Sequence, residues 1–394
     1  MATPSIGFLK GELPLDDRAW GVKGRHVKLS KWVTIAAVAV LVIGALTLGG
    51  CTKSSSTSSG AGSGSFQGVP LVGAGATFPQ PVYSQWTQAF VKVEPNAKIN
   101  YQAIGSGGGI QQFTAKTVDF GATDVPIKSS EASAITEPYI EFPTVLGAVV
   151  VAYNVPGLSS PLKLDGATVA GIFQGKIKNW NDPAIASQNS GVTLPDLPVQ
   201  VVHRADSSGT TGIFTSWLAT ESPEWKSAVG SGKTVQWPTG QGGNGNAGVA
   251  QAMTQTKGSI GYLEYQYALT SGLGIASIKA PDGTYVAPSS DSIAKAGQSL
   301  AFPITETTNI LNSSTPGAYP LASTTYILVY TNQSSQDKAQ TLVDFWTWAL
   351  TAGQKDVSTL NYVPLPDSVA KDSLNEVGKI SVSGTAVKPS SSVQ

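Results

Sequence analysis

Seven of eight consecutive residues in Arg204-Ala205-Asp206-Ser207-Ser208-Gly209-Thr210-Thr211 are polar or glycine. The four hydroxyls and the guanidinium can all donate hydrogen bonds, and arginine presents a rigid planar fork suited to an oxyanion. Val199 to Val202 reads as a buried strand end, and apolar positions with helical spacing continue to about Ala219. The polar run therefore opens a helix, with Ser207 or Ser208 as its N-cap. A helix start leaves backbone N–H groups unpartnered and carries partial positive charge, so it favours an anion. Gly209 lets a ligand come close to the backbone. The same stretch would equally serve a capped helix beside a surface arginine, so the choice rests on what other segments bring.

Three more such starts precede it. Leu71-Val72 reads as a strand, Gly73 to Pro79 as a turn, and Pro79 to Val93 as a helix with proline in its first turn. Ile99 to Ile104 is a second strand, Gly105 to Gly109 a turn and Ile110 to Thr117 a helix. Val118 to Ala122 is a third strand, ending at Thr123-Asp124-Val125-Pro126. Strand, glycine-rich loop and helix in repetition give a doubly wound α/β pattern. Open parallel sheets bind ligands beyond the carboxyl ends of their strands, where Thr77, Ser106 and Asp124 fall. Each loop alone reads more simply as structure. Gly73-x-Gly75-x-x-Phe78 lacks the third glycine of a dinucleotide fingerprint, and no Gly-Lys-Ser/Thr marks a P-loop. Together, hydroxyl-bearing helix starts and one arginine make an anion site the better reading.

Further on, Phe142 to Tyr153 is an apolar run too short to span a bilayer and reads as a buried strand crossing between lobes. Ser323 to Tyr330 is a candidate return crossing. Gly240 to Asn246 precedes a helix over Ala247–Thr256, and Ala339 to Thr351 forms an aromatic amphipathic core helix. A last helix starts at Leu365-Pro-Asp-Ser-Val369, and the end reads as a polar tail.

Composition narrows the function. The 394 residues suffice for two domains with cores of their own. Charged residues make up only 13%, and the full chain has formal net charge zero. Six of the 25 basic and three of the 25 acidic groups lie in the first 50 residues, leaving 19 against 22 beyond them, about −3. That balance argues against nucleic acid as a partner, and an anion must be captured by local geometry. Cys51 is the sole cysteine, so no intrachain disulfide forms, and His203 is the only histidine past residue 50. No metal site or cofactor is expected.

Lys23, Arg25, Lys28 and Lys31 precede the uncharged apolar run Trp32–Leu48, which ends in Leu48-Gly49-Gly50-Cys51. This is the build of a secretory signal, and its ending resembles a bacterial lipobox, in which the cysteine is lipidated. An uncleaved signal anchor is the alternative. Thr52 to Gly68, rich in Ser, Gly and Thr, reads as a flexible tether.

The motifs Gly73-Ala-Gly-Ala-Thr-Phe-Pro79, Gly105-Ser-Gly-Gly-Gly109, Val118-Asp-Phe-Gly-Ala-Thr-Asp124, Arg204-Ala-Asp-Ser-Ser-Gly-Thr210 and Gly258-Ser-Ile-Gly-Tyr-Leu-Glu-Tyr265 resemble, in order, the PstS family of phosphate-binding proteins of the phosphate ABC importer. The likeness runs from about Val69 to Val369. It implies an α/β fold of two doubly wound lobes joined by a two-segment hinge, the type II periplasmic-binding-protein fold, with the ligand in the interlobe cleft. The expected organisation is a signal peptide with lipobox over 1–50, lipidated Cys51 and linker over 51–68, lobe I over 69–150 and 321–394, and lobe II over 151–320. The resemblance implies phosphate contacts from Ala76, Thr77, Phe78, Ser106, Asp124, Arg204, Ser208, Gly209 and Thr210, with Asp206 pairing Arg204. It implies no catalysis. The expected protein is a monomeric extracytoplasmic lipoprotein, held at the membrane through Cys51, that binds phosphate with high affinity and delivers it to the permease subunits. His203 and Thr123 depart from the family's usual Arg and Ser, at positions that are not contacts.

Asp124 supplies the chemical test. Near neutral pH phosphate carries one or two protons and sulfate none, while an ionised carboxylate can only accept. Asp124 can accept from a phosphate hydroxyl but meets sulfate with repulsion, and sites of this kind discriminate by on the order of 10⁴ or more. The rivals are a phosphatase built on Arg204, Asp124 and Ser208, a binder of sulfate or molybdate, and a structural or adhesive protein on the same fold.

Overall fold

The computed structural model describes residues 68–158 and 161–393. The signal segment, Cys51 and the Ser/Gly tether up to residue 67 lie outside the described residues.

Nine strands form one mixed sheet: β1 (Leu71–Gly75), β2 (Ile99–Ala103), β3 (Phe120–Thr123), β4 (Tyr139–Asn154), β5 (Gln200–Arg204), β6 (Gln241–Gly243), β7 (Ser259–Glu264), β8 (Gly274–Ile275) and β9 (Ala322–Tyr330). Their order is β2-β1-β3-β9-β4-β7-β5-β6, with β8 also on β4. β1 is parallel to β2 and β3, and β5 is parallel to β6 and β7. Between these wings lie the antiparallel β9 and β4. β4 pairs with β9 through Ala148 and with β7 from Val149, so the apolar run 142–153 lies in one strand that joins the two wings of the sheet. Its burial on both faces accounts for that unbroken Val/Ala sequence.

The β9–β4 ladder slips by one residue at Thr325/Tyr326, where Tyr326 lies opposite Pro143 and Thr144 is left over. Proline has no N–H for the ladder, so a bulge here relieves a pairing that could not form. The bulge leaves Thr325 beside the carboxyl end of β3.

Helix α1 (Gln80–Phe90) follows β1, with Pro79 as N-cap, and buries Val82, Tyr83, Trp86 and Phe90. Helix α2 spans Ser106–Thr114, starting four residues before the expected Ile110. Its glycines are inside the first turns and make close packing possible. A Cβ on Gly107 would fall 2.1 Å from Ser207 Oγ, and one on Gly109 would fall 2.4 Å from Gly75 Cα. Helices α3 (Gly209–Glu221) and α4 (Gly245–Gln255) follow β5 and β6. Gly245 has φ +65°, a conformation that favours glycine, and starts α4 two residues earlier than expected. Helix α5 (Gln336–Leu350) buries Phe345 and Trp346 as anticipated. The chain end is not merely a polar tail. Ser381–Val382 and Thr385–Ala386 pair antiparallel, and Val387 and Val393 are buried.

Candidate functional site

The expected ligand residues converge where the two wings of the sheet meet. Thr77 follows β1, Ser106 opens α2, Asp124 follows β3, Arg204 ends β5 and Ser208 caps α3. Thr77, Ser106, Asp124, Arg204, Ser208 and Thr210 are all buried.

Arg204 lies side-on to Asp206, with Nε 2.7 Å from Oδ1 and Nη2 2.5 Å from Oδ2. Nη1 donates to Thr210 Oγ1 at 3.1 Å. Asp206 also accepts from the Gly245 N–H at 3.0 Å. Burial opposes its ionisation, but the Arg204 hydrogen bonds and charge outweigh that and hold its carboxyl below the ordinary value.

Ser208, rather than Ser207, is the N-cap, accepting from the Thr211 N–H at 3.1 Å. The Ser207 carbonyl instead accepts from the Gly107 N–H of the opposite lobe at 3.0 Å. Ser106 Oγ accepts from the Gly209 N–H at 3.0 Å and the Asp124 N–H at 3.2 Å. The close approach at Gly209 is therefore that of the facing lobe. A Cβ there would fall 2.4 Å from Ser106 Oγ and 2.6 Å from Asp124 Cβ.

Asp124 Oδ1 accepts from Thr325 Oγ1 at 3.0 Å. Desolvation pushes its pKa up to about 7, against the lowering influence of Thr325, Arg204 and Ser106. Burial thus makes Asp124 protonate more readily than an exposed carboxylate, while its ionised form can only accept.

The loop Ala76-Thr77-Phe78 is fixed by residues the sequence reading did not single out. The carbonyls of Ala76, Thr77 and Phe78 accept from the hydroxyls of Tyr101 (2.6 Å), Tyr267 (2.9 Å) and Tyr362 (2.5 Å). In a trans peptide the C=O and the following N–H point in opposite directions. The first two tyrosines therefore set the directions of the Thr77 and Phe78 N–H groups. Asn246 was also missed as a site residue. The only sequence signal for it was its place at a glycine-flanked helix start.

A cavity of about 330 Å³ borders Asp124, Lys128, Lys233 and Tyr326. Its walls do not include Arg204, Ser106 or Thr210, so it adjoins the cluster rather than forming its interior. Two of its lining residues are paired: Lys233 with Glu131 at 2.6 Å, and Glu306 with the Ser129 N–H and hydroxyl. His203 stacks on Trp237 at 4.9 Å, with Nδ1 3.0 Å from the Arg204 carbonyl oxygen, and gives Ser208 no base. Among the described residues no group of three His, Cys, Asp or Glu is placed to hold a metal ion.

A profile of the PBP superfamily domain matches residues 53–352. Phosphate-binding protein PstS of Pasteurella multocida is 42% identical over 306 residues, 77% of this chain and 88% of that one. The protein of the same name from Xylella fastidiosa (strain Temecula1) is 43% identical over 309 residues, 77% of this chain and 83% of that one. Phosphate-binding protein PstS 3 of Mycobacterium leprae is 35% identical over 356 residues, 84% and 95% of the two chains. Among solved structures, a DING protein superposes with TM-score 0.64 at 20% identity, covering 81% of this chain and 100% of that one. A phosphate-binding protein from Stenotrophomonas maltophilia superposes with TM-score 0.62 at 19% identity, covering 78% and 93%. These structural likenesses establish the fold, two lobes of mixed α/β structure, as the sequence motifs led us to expect.

Proposed function

The chain belongs to the PstS family of phosphate-binding proteins, and we propose that it is the extracytoplasmic receptor that captures inorganic phosphate and hands it to the permease of a phosphate ABC transporter. It is a binding protein, not an enzyme. The observation that carries this reading is the composition of the buried cluster: hydroxyls, a guanidinium clamped by Asp206, and the carboxylate of Asp124. Arg204 supplies the charge, with Asp206 orienting its fork and offsetting part of that charge. The helix starts at Ser106 and Gly209, with the loop at Thr77 that leads into α1, spread the remaining ligand charge over dipoles. Asp124 accepts from a phosphate hydroxyl, and that bond is the selective step.

The contact set is Ala76, Thr77, Phe78, Ser106, Asp124, Arg204, Ser208, Gly209 and Thr210. The lobes are 69–150 with 321–394, and 151–320, hinged where the chain crosses the middle of the sheet. Affinity is micromolar or tighter, about −8 kcal/mol or more favourable. Titration of the purified protein with phosphate, followed by tryptophan fluorescence, tests the reading, and no saturable change up to millimolar phosphate would refute it.

The protein works as a monomer, anchored by lipid on Cys51 and tethered by residues 52–68. This rests on the Leu48-Gly49-Gly50-Cys51 ending and the Ser/Gly composition beyond it. Replacing Cys51 with Ser should release the protein from the membrane fraction, and unchanged membrane retention would count against the anchor. A single-protomer mass by light scattering checks the monomer.

A further inference from the structure

Asn246, fully buried at the start of α4, reaches across the cleft. Its Oδ1 accepts from the Glu264 N–H at 2.9 Å. A backbone N–H can only donate, so that bond fixes the amide with Nδ2 toward the hydroxyls. Nδ2 donates to Thr77 Oγ1 at 2.8 Å and more weakly to Thr210 Oγ1 at 3.4 Å, and the Asn246 N–H also donates to Thr77 Oγ1 at 3.2 Å.

A hydroxyl has two lone pairs and one proton. Both lone pairs of Thr77 Oγ1 are taken by Asn246. Those of Thr210 Oγ1 are taken by Asn246 and Arg204 Nη1. The only hydrogen-bonding capacity left to either hydroxyl is donation. Ser106 Oγ is in the same condition through the Gly209 and Asp124 N–H groups. A site wired in this way is matched to an acceptor.

We propose that Asn246 is a positioning residue of the anion site, locking the Thr77 and Thr210 hydroxyls as donors and bridging the lobes when they close. This rests on the phosphate-receptor reading, and the cycle below separates the two. Asn246→Asp keeps the shape, the backbone N–H and the acceptor for Glu264, but loses both amide donors. Asn246→Ala, read in parallel, removes them without adding charge, and melting of the ligand-free proteins reports which variants are folded.

Phosphate Kd is measured for the wild type, both Asn246 variants, Thr77→Ala and the double variants. Loss of a charge-assisted donor alignment should weaken binding by about 10- to 100-fold in either Asn246 variant. In the Thr77→Ala background the same changes should cost several-fold less, since the hydroxyl they orient is gone. Two outcomes overturn the inference alone: an Asn246 variant that is folded and binds within two-fold of wild type, or a cost undiminished in the Thr77→Ala background. A wild-type protein that binds no phosphate overturns the receptor reading, and this inference with it.

Discussion

Replacing Asp124 with Asn changes one oxygen to an amide in a buried cage and keeps its size. The carboxylate accepts from Thr325 through Oδ1, and under the proposed reading Oδ2 is left to accept from the phosphate hydroxyl. In the variant the amide oxygen can keep Thr325, which leaves the NH₂ group facing the ligand. Phosphate then loses an acceptor for its hydroxyl. A hydrogen bond involving a charged group is worth about 1.5–3 kcal/mol, so phosphate Kd should rise roughly 10- to 100-fold. Sulfate loses a repulsive neighbour and gains a donor, so its binding should tighten. A preference on the order of 10⁴ should collapse by at least roughly 100-fold. Protonation of wild-type Asp124 should act like the substitution. Burial pushes its pKa up to about 7, so sulfate competition in the wild type should strengthen as pH falls from 8 to 5, and stay nearly flat in the Asn variant. Competition calorimetry across that range reads both effects. Unchanged preference in a folded variant, or the same sulfate pH profile in both proteins, would refute the role given to Asp124.

Arg204→Lys keeps the charge but not the fork that engages Asp206 and Thr210. Phosphate binding should weaken by about 100-fold and the melting temperature should fall, whereas near-wild-type affinity would contradict the clamp. Glu131→Gln removes the interlobe pair with Lys233, worth about 1 kcal/mol. Stopped-flow should read phosphate release about five-fold faster with association nearly unchanged, and an unaltered release rate would rule out that latch. Desolvation raises the buried carboxyls of Asp124 and Glu264 to about 7 and about 8, and the partly buried Glu141 to about 7. Folded-state values above the unfolded ones mean their stabilising contribution is present below about pH 4 and lost as pH rises through 7 to 8. The three together should pull the ligand-free melting temperature down over pH 5 to 8, and a rise attributable to them, judged against Glu264→Gln, would reverse the sign.

Much of the site was legible because its members are local signals. Each of Thr77, Ser106, Asp124 and Ser208 follows a strand or opens a helix, and Asp206 lies two residues from the arginine it clamps. The central strand was legible from its length and continuous apolarity. What escaped detection depends on long-range geometry. Asn246 meets Thr77 across 169 positions, Tyr362 meets Phe78 across 284, and Thr325 meets Asp124 across 201. No periodicity connects such residues. The early start of α2 escaped because glycine lowers helix propensity, while the approach of Gly75 and Ser207 leaves no room for a larger side chain. The terminal strands are two residues each, too short for a pattern to register.

The central claim is that the buried cluster selects phosphate by its proton. Equilibrium dialysis of the purified protein against labelled phosphate at micromolar concentration, with a thousand-fold excess of sulfate, tests it most directly. The account predicts stoichiometric retention of one phosphate per chain, with the sulfate displacing little of it. Complete displacement by sulfate, or no retention in its absence, would contradict the account.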